Sequence, residues 1–148
     1  MEARWLSESD QAVWRDYLRA TMEVREGLER HLLSETGLSL NEYEVLVVLS
    51  EQPEHRIRMA RLAEELVNSR SRLSHTVQRM EKRGLVERHS CAKDGRGVYC
   101  TLTDEGYEVL KGAAPHHVES VRSHIFDRLT REDVESLGRV LAKLGDIS

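Results

Sequence analysis

At 148 residues the chain is long enough for one domain with its own core. Apolar residues make up 39% of it and charged residues 32%, with only two prolines, which leaves room for long helices. No run of about 18 apolar residues exists to span a membrane. The opening MEARWLSESD lacks a basic-then-apolar signal pattern, so a cytoplasmic location is expected. No G-x-S-x-G, phosphate-cradling glycine loop or paired carboxylates in a plausible cleft can be found, which argues against an enzyme.

Net charge is −4, but it is unevenly spread. Arg56 to Arg96 holds eleven Lys/Arg against five Asp/Glu, and the rest holds eleven against twenty-one. A basic island therefore lies between acidic flanks. It attracts a polyanion while the flanks repel one, which orients docking.

In chain order, the spacing of Trp14, Tyr17, Leu18, Thr21, Val24, Leu28 and Leu32 predicts one helix over about 9–34, with Ser7 as cap and Gly37 as breaker. Ser39 and Glu42 form a capping-box pattern for a helix over 40–50, its inner face carrying Tyr43, Leu46, Val47 and Ser50, and Pro53 stops it. A short helix over 59–66 turns Met59, Leu62, Ala63 and Leu66 inward. A tight turn at Val67-Asn68-Ser69 leads to a helix over 70–83 with Leu73, Val77 and Met80 as its buried stripe. Gly84 ends it in the left-handed conformation. The period then changes to two: 85–89 and 98–102 read as strands around a polar loop, Cys91 to Gly97, forming a hairpin with a projecting tip. Thr103 caps a helix running toward Phe126 with a kink near Pro115. Thr130 and Asp133 open a last helix bearing Val134, Leu137, Val140, Leu141 and Leu144.

The fold class expected is mainly α with a small β-hairpin: a winged helix-turn-helix over about 40–102, within a single domain over 1–148. The flanking helices, about 8–36 and 104–146, are long, acidic and apolar on one side. One small chain cannot easily bury both, so they are expected to build a homodimer interface.

In a winged helix-turn-helix the second helix enters the major groove. With Leu73, Val77 and Met80 inward, Ser71, His75, Gln78 and Lys82 point outward, flanked by Arg72, Ser74 and Arg79. Arg and Gln can pair with base edges, and Ser and Lys can hold phosphates. Ser69, Arg70, Ser71, Arg72, Ser74, His75, Gln78 and Arg79 are the candidate DNA-binding set. Arg72, Ser74 and His75, followed by Gln78 and Arg79, are favoured for base readout, and Arg70 and Lys82 for phosphates or solvent. The hairpin tip adds Lys93, Asp94 and Arg96. Arg96 suits the narrow minor groove, and Asp94 can steady it.

The chain resembles the MarR family of bacterial regulators. The matching residues are Leu62-Ala63-Glu64-Glu65-Leu66, Arg79 through Arg88, Asp94-Gly95-Arg96 and Thr101 through Gly106, over a core of about 40–110. The resemblance implies a homodimer with intertwined terminal helices on a near-palindromic operator of double-stranded DNA. It also implies a reading helix at about 69–83 and the Asp94/Arg96 wing role. It implies repression relieved by a small, often aromatic or phenolic, effector. Gly97 stands where many relatives carry a second wing arginine. The peroxide-sensing branch keeps its cysteine in the first helical region, whereas here Cys91 and Cys100 flank the wing.

Trp14, Tyr17 and His31 are candidate effector ligands, weighed against plain packing. His116, His117 and His124 are read as surface histidines, since no set has zinc spacing, and neither metal nor cofactor is expected. Two alternatives remain: a winged-helix protein-interaction module, and a redox-responsive regulator in which Cys91 and Cys100 face each other across the hairpin.

Overall fold

The computed structural model describes residues 2–66, 69–90 and 97–145. Its elements run α1 (Glu8–Thr36), α2 (Leu40–Glu51), β1 (Arg56–Arg58), α3 (Met59–Glu65), α4 (Arg70–Lys82), β2 (Val86–Ser90), β3 (Val98–Leu102), α5 (Asp104–His124) and α6 (Arg131–Leu144). The expected turn at Val67-Asn68 and the hairpin tip lie outside the described residues.

The helix boundaries follow local chemistry. Ser7 Oγ accepts the Asp10 N–H at 3.1 Å, and Gly37, at φ 72°, ends α1. At α2, Ser39 Oγ accepts the Glu42 N–H while the Glu42 carboxylate accepts the Ser39 N–H, so each satisfies an orphan donor of the helix start. The inner face of α2 is rotated from expectation: Leu40, Glu42, Tyr43, Val45, Leu46 and Leu49 are buried, and Val47 and Ser50 only partly. Thr103 Oγ1 caps α5 by accepting the Gly106 N–H. Gly106 is buried there so tightly that a Cβ would lie 2.1 Å from the Leu85 carbonyl oxygen. Thr130 and Asp133 form a second capping box at α6, and the Thr130 N–H and hydroxyl hold the Asp133 carboxyl below its ordinary range. α5 runs through Pro115 and ends at His124, and a 3₁₀ turn follows at Phe126–Arg128.

The chief departure is β1. A sheet of three strands in order β1-β3-β2, all antiparallel, stands where a two-stranded hairpin was expected. After Pro53 the chain turns through Glu54 and His55, both at positive φ. Non-glycine residues adopt this region at a cost of roughly 1–2 kcal/mol. His55 stacks on Tyr107 at 5.5 Å and Arg56 pairs with Glu54 at 2.8 Å. Ile57 then pairs with Cys100 in β3.

The chain divides into two compact units. Leu32–His117 carries the winged helix-turn-helix. Its core contains Leu38, Leu46, Leu49, Leu62, Leu73, Val77, Met80, Val86 and Cys100, all fully enclosed. The second unit comprises Met1–His31 and Val118–Ser148. Here α1 and α5 meet where the His124 ring lies against Gly27; a Cβ on that glycine would be 2.3 Å from Nε2. His124 Nδ1 bonds the Ser120 carbonyl oxygen at 2.8 Å.

Candidate nucleic-acid interface

α4 is amphipathic in the expected sense. Leu73, Val77 and Met80 are buried, joined by Thr76, whose hydroxyl donates to the Arg72 carbonyl. Ser69, Arg70, Ser71, Arg72, His75, Gln78, Arg79 and Lys82 are exposed. Ser69 serves as N-cap, its Oγ accepting the Arg72 N–H at 3.2 Å, so its hydroxyl helps to hold the first turn in place.

Two residues of the candidate set are engaged by other side chains of the protein. Ser74 is only partly exposed and its Oγ accepts from Arg88 Nη1 at 3.3 Å. Arg88, on β2, also gives its Nε and its backbone N–H to Glu81. One guanidinium thus ties the hairpin to two points a pair of turns apart on α4. Arg79 leans toward Glu42, Nε to Oε1 at 3.9 Å, while Arg83 reaches the other Glu42 oxygen at 3.3 Å. Glu42 is 6% exposed, so this carboxylate joins the α2 cap to the end of α4. Arg70, Ser71, Arg72, His75 and Gln78 are left as the outward polar face.

Lys93, Asp94 and Arg96 lie outside the described residues, but the strands beneath them register without a bulge from Val86↔Leu102 to Ser90↔Val98. Strand pairing adds side chains that sequence reasoning missed. Arg56 and Arg58 of β1 stand beside β3, each guanidinium 5.5 Å from the centroid of the Tyr99 ring. Arg58 Nε also donates to Tyr99 Oη at 3.3 Å. A pocket of about 370 Å³ opens between Arg58, Arg70, Ser74, Arg88 and Gly97.

A model of the MarR family matches residues 36–97. The transcriptional regulator HosA of Escherichia coli is 33% identical over 107 residues, spanning 72% of this chain and 77% of that protein. The chain belongs to the MarR family of transcriptional regulators. Among solved structures, the MarR family regulator Sco3205 from Streptomyces coelicolor, in complex with DNA, is 46% identical. It superposes with a TM-score of 0.92 over 97% of this chain and 89% of its own. AbsC, a MarR family regulator from the same organism, is 42% identical with a TM-score of 0.88, over 96% and 95% of the two chains. Family and relatives are transcriptional regulators, not enzymes.

The remaining candidates of this MarR chain fall elsewhere. In the helical unit Trp14 and Tyr17 are exposed and stacked at 5.9 Å, and His31 is partly exposed on the same helix. His117 departs from the surface reading. It is half-buried on Tyr43, ring centroids 4.4 Å apart, and its Nδ1 is enclosed without a hydrogen-bond partner. Burial pulls its pKa below the ordinary value, against the opposing charge of Glu44. Across the hairpin Cys100 faces Arg88, and Cys91 lies outside the described residues. Burial first, then Glu81, pushes the Cys100 thiol up to about 12, and it is fully enclosed. Among the described residues no group of three metal-ligating side chains assembles, and no helix is long and apolar enough to cross a membrane.

Proposed function

We propose that the protein binds a near-palindromic DNA operator as a homodimer and represses transcription until a small effector releases it. The observation that carries this reading is the outward face of α4, Arg70, Ser71, Arg72, His75 and Gln78, beside a two-stranded hairpin in a chain 46% identical to a regulator solved with DNA. One α4 enters the major groove of each half-site, its amino-terminal half nearest the bases, and the hairpin tip with Lys93, Asp94 and Arg96 enters the flanking minor groove. Arg72 and His75 read base edges, and Arg70 holds phosphate. Ser74, already bonded to Arg88, acts by steadying the helix more than by reading. The relative MprA of Escherichia coli, 26% identical over 76% of this chain and 64% of that protein, is a transcriptional repressor, which agrees with repression here.

Dimerisation is supported by the uncovered apolar residues of α1 and α6, among them Trp14, Leu18, Met22, Leu137, Val140 and Leu141. The stacked pair Trp14–Tyr17 offers an aromatic effector a flat, apolar surface, whereas His31, fourteen residues beyond Tyr17 along α1, stands about 20 Å away by helical rise and does not share that surface. The cysteine-switch alternative draws little from Cys100, because a buried thiol held protonated is a poor nucleophile.

Genomic fragments selected by the protein, footprinted and then retested with Arg72→Ala and Arg96→Ala, examine the assignment. Arg72→Ala is expected to relax base preference at one position per half-site at a cost of about 1–3 kcal/mol. Arg96→Ala is expected to weaken binding evenly across sequences. Wild-type-like footprints from both variants would place the reading surface elsewhere.

A further inference from the structure

We propose that Arg88 is a positioning residue for operator binding: it sets the distance and angle between α4 and the hairpin, so that both reach their grooves at once. This rests on the function proposed for α4 and the hairpin, in which they occupy neighbouring grooves. The grooves of a duplex have set widths, so two elements that enter adjoining grooves must be held at one spacing. At any other spacing one element binds at the expense of the other.

The strand puts Arg88 where it can do this. Val86 and Arg88 lie on the same face of β2, and Glu87 and His89 on the opposite one. Val86 is buried, and apolar burial holds surfaces together without fixing their angle. Arg88 supplies the direction. Its Nη1 donates to Ser74 Oγ at 3.3 Å, and its Nε and backbone N–H both donate to the Glu81 carboxylate. Ser74 and Glu81 stand seven residues apart on α4, about 10 Å along its axis. One tie would let the strand pivot; two along the axis stop it. The Arg88 and Glu81 side chains are 29% and 31% exposed, so water and salt screen the pair less than a surface pair. Only the planar fork of arginine offers several donors in a rigid arrangement; lysine offers one compact charge. β2 ends two residues after Arg88, and the chain goes on to Lys93, Asp94 and Arg96. A pivot at Arg88 is therefore passed to the residues proposed to grip the minor groove.

The experiment measures operator affinity for wild type, Arg88→Lys and Ser74→Ala, each with and without Arg96→Ala and each checked by thermal melting. Arg88→Lys keeps a positive charge beside Glu81 but cannot also hold Ser74. It is expected to lower affinity roughly tenfold when Arg96 is present and by no more than about twofold when it is not, because a misplaced hairpin matters only while its tip grips. Hydroxyl-radical cleavage should return in the flanking minor groove, while guanine N7 in the major groove stays protected from dimethyl sulfate. Ser74→Ala, which removes one tie, should act in the same direction by a smaller factor, and it carries the test if Arg88→Lys does not fold. Equal losses with and without Arg96, or no loss in the folded variants, overturn the proposal alone. Wild-type binding by Arg96→Ala overturns it together with the reading of the hairpin.

Discussion

The two compact units solve the problem of apolar surface differently. In Leu32–His117, side chains from five helices and three strands enclose one another, and Leu38, Leu46, Leu49 and Leu62 have no exposed surface at all. Among the described residues of the other unit only Gly27 and Ser120 are buried. Many of its leucines, valines and aromatics stand largely in water, among them Leu137 at 39% and Trp5 at 89% exposure. α6 carries an apolar stripe as regular as that of α4, yet α4 buries four residues and α6 none. Amphipathic spacing therefore tells which face of a helix is apolar, not what will cover it. An apolar stripe left uncovered in this way suits association with another protein surface.

The sharpest test of the contrast is a large-to-small change in each unit. Leu46→Ala should cost about 3 kcal/mol in a denaturant melt, the range for a buried leucine, and should do so at any protein concentration. The pair Leu137→Glu and Leu141→Glu should leave the secondary structure of the winged unit in place and convert a dimer to a monomer in analytical ultracentrifugation. Operator affinity should then fall at least tenfold, because two half-sites no longer bind as one. A monomeric wild type, or a dimer indifferent to both glutamates, would break the comparison.

A smaller effect separates the units by pH. The pKa of His117 is lowered by burial from the ordinary 6.5, so the folded winged unit binds this proton less readily than the unfolded chain. Its contribution is therefore present above about pH 6.5 and is lost as pH falls toward the lowered value. His117→Phe should flatten that acid limb of the melting curve, keeping the ring contact with Tyr43 while removing the titrating group. A limb unchanged by the substitution would show that other groups govern the acid side.

Much of this molecule is legible along the chain because its signals are local. A capping box spans four residues, so Ser39/Glu42 and Thr130/Asp133 announce α2 and α6 directly. A helical stripe repeats within a few turns, so Leu73, Val77 and Met80 locate the inner face of α4, and with it the outward set from Arg70 to Gln78. The excess of basic residues from Arg56 to Arg96 is equally plain. β1 is not, because three residues are too few to show a period of two, and its partner strand lies more than forty residues away. With β1 unseen, Arg58 could not be placed at the pocket.

The order of the winged helix-turn-helix, the helix caps and the basic outward face of α4 are written along the chain, since backbone hydrogen bonding and apolar spacing act over short stretches. Only the tertiary structure decided that Ser74 and Glu81 share Arg88, that Arg79 and Arg83 converge on Glu42, and that Cys100 is sealed opposite Arg88. Each of these joins residues brought together by sheet register and helix packing, and a side chain's charge or hydroxyl does not reveal, before folding, which distant partner will claim it.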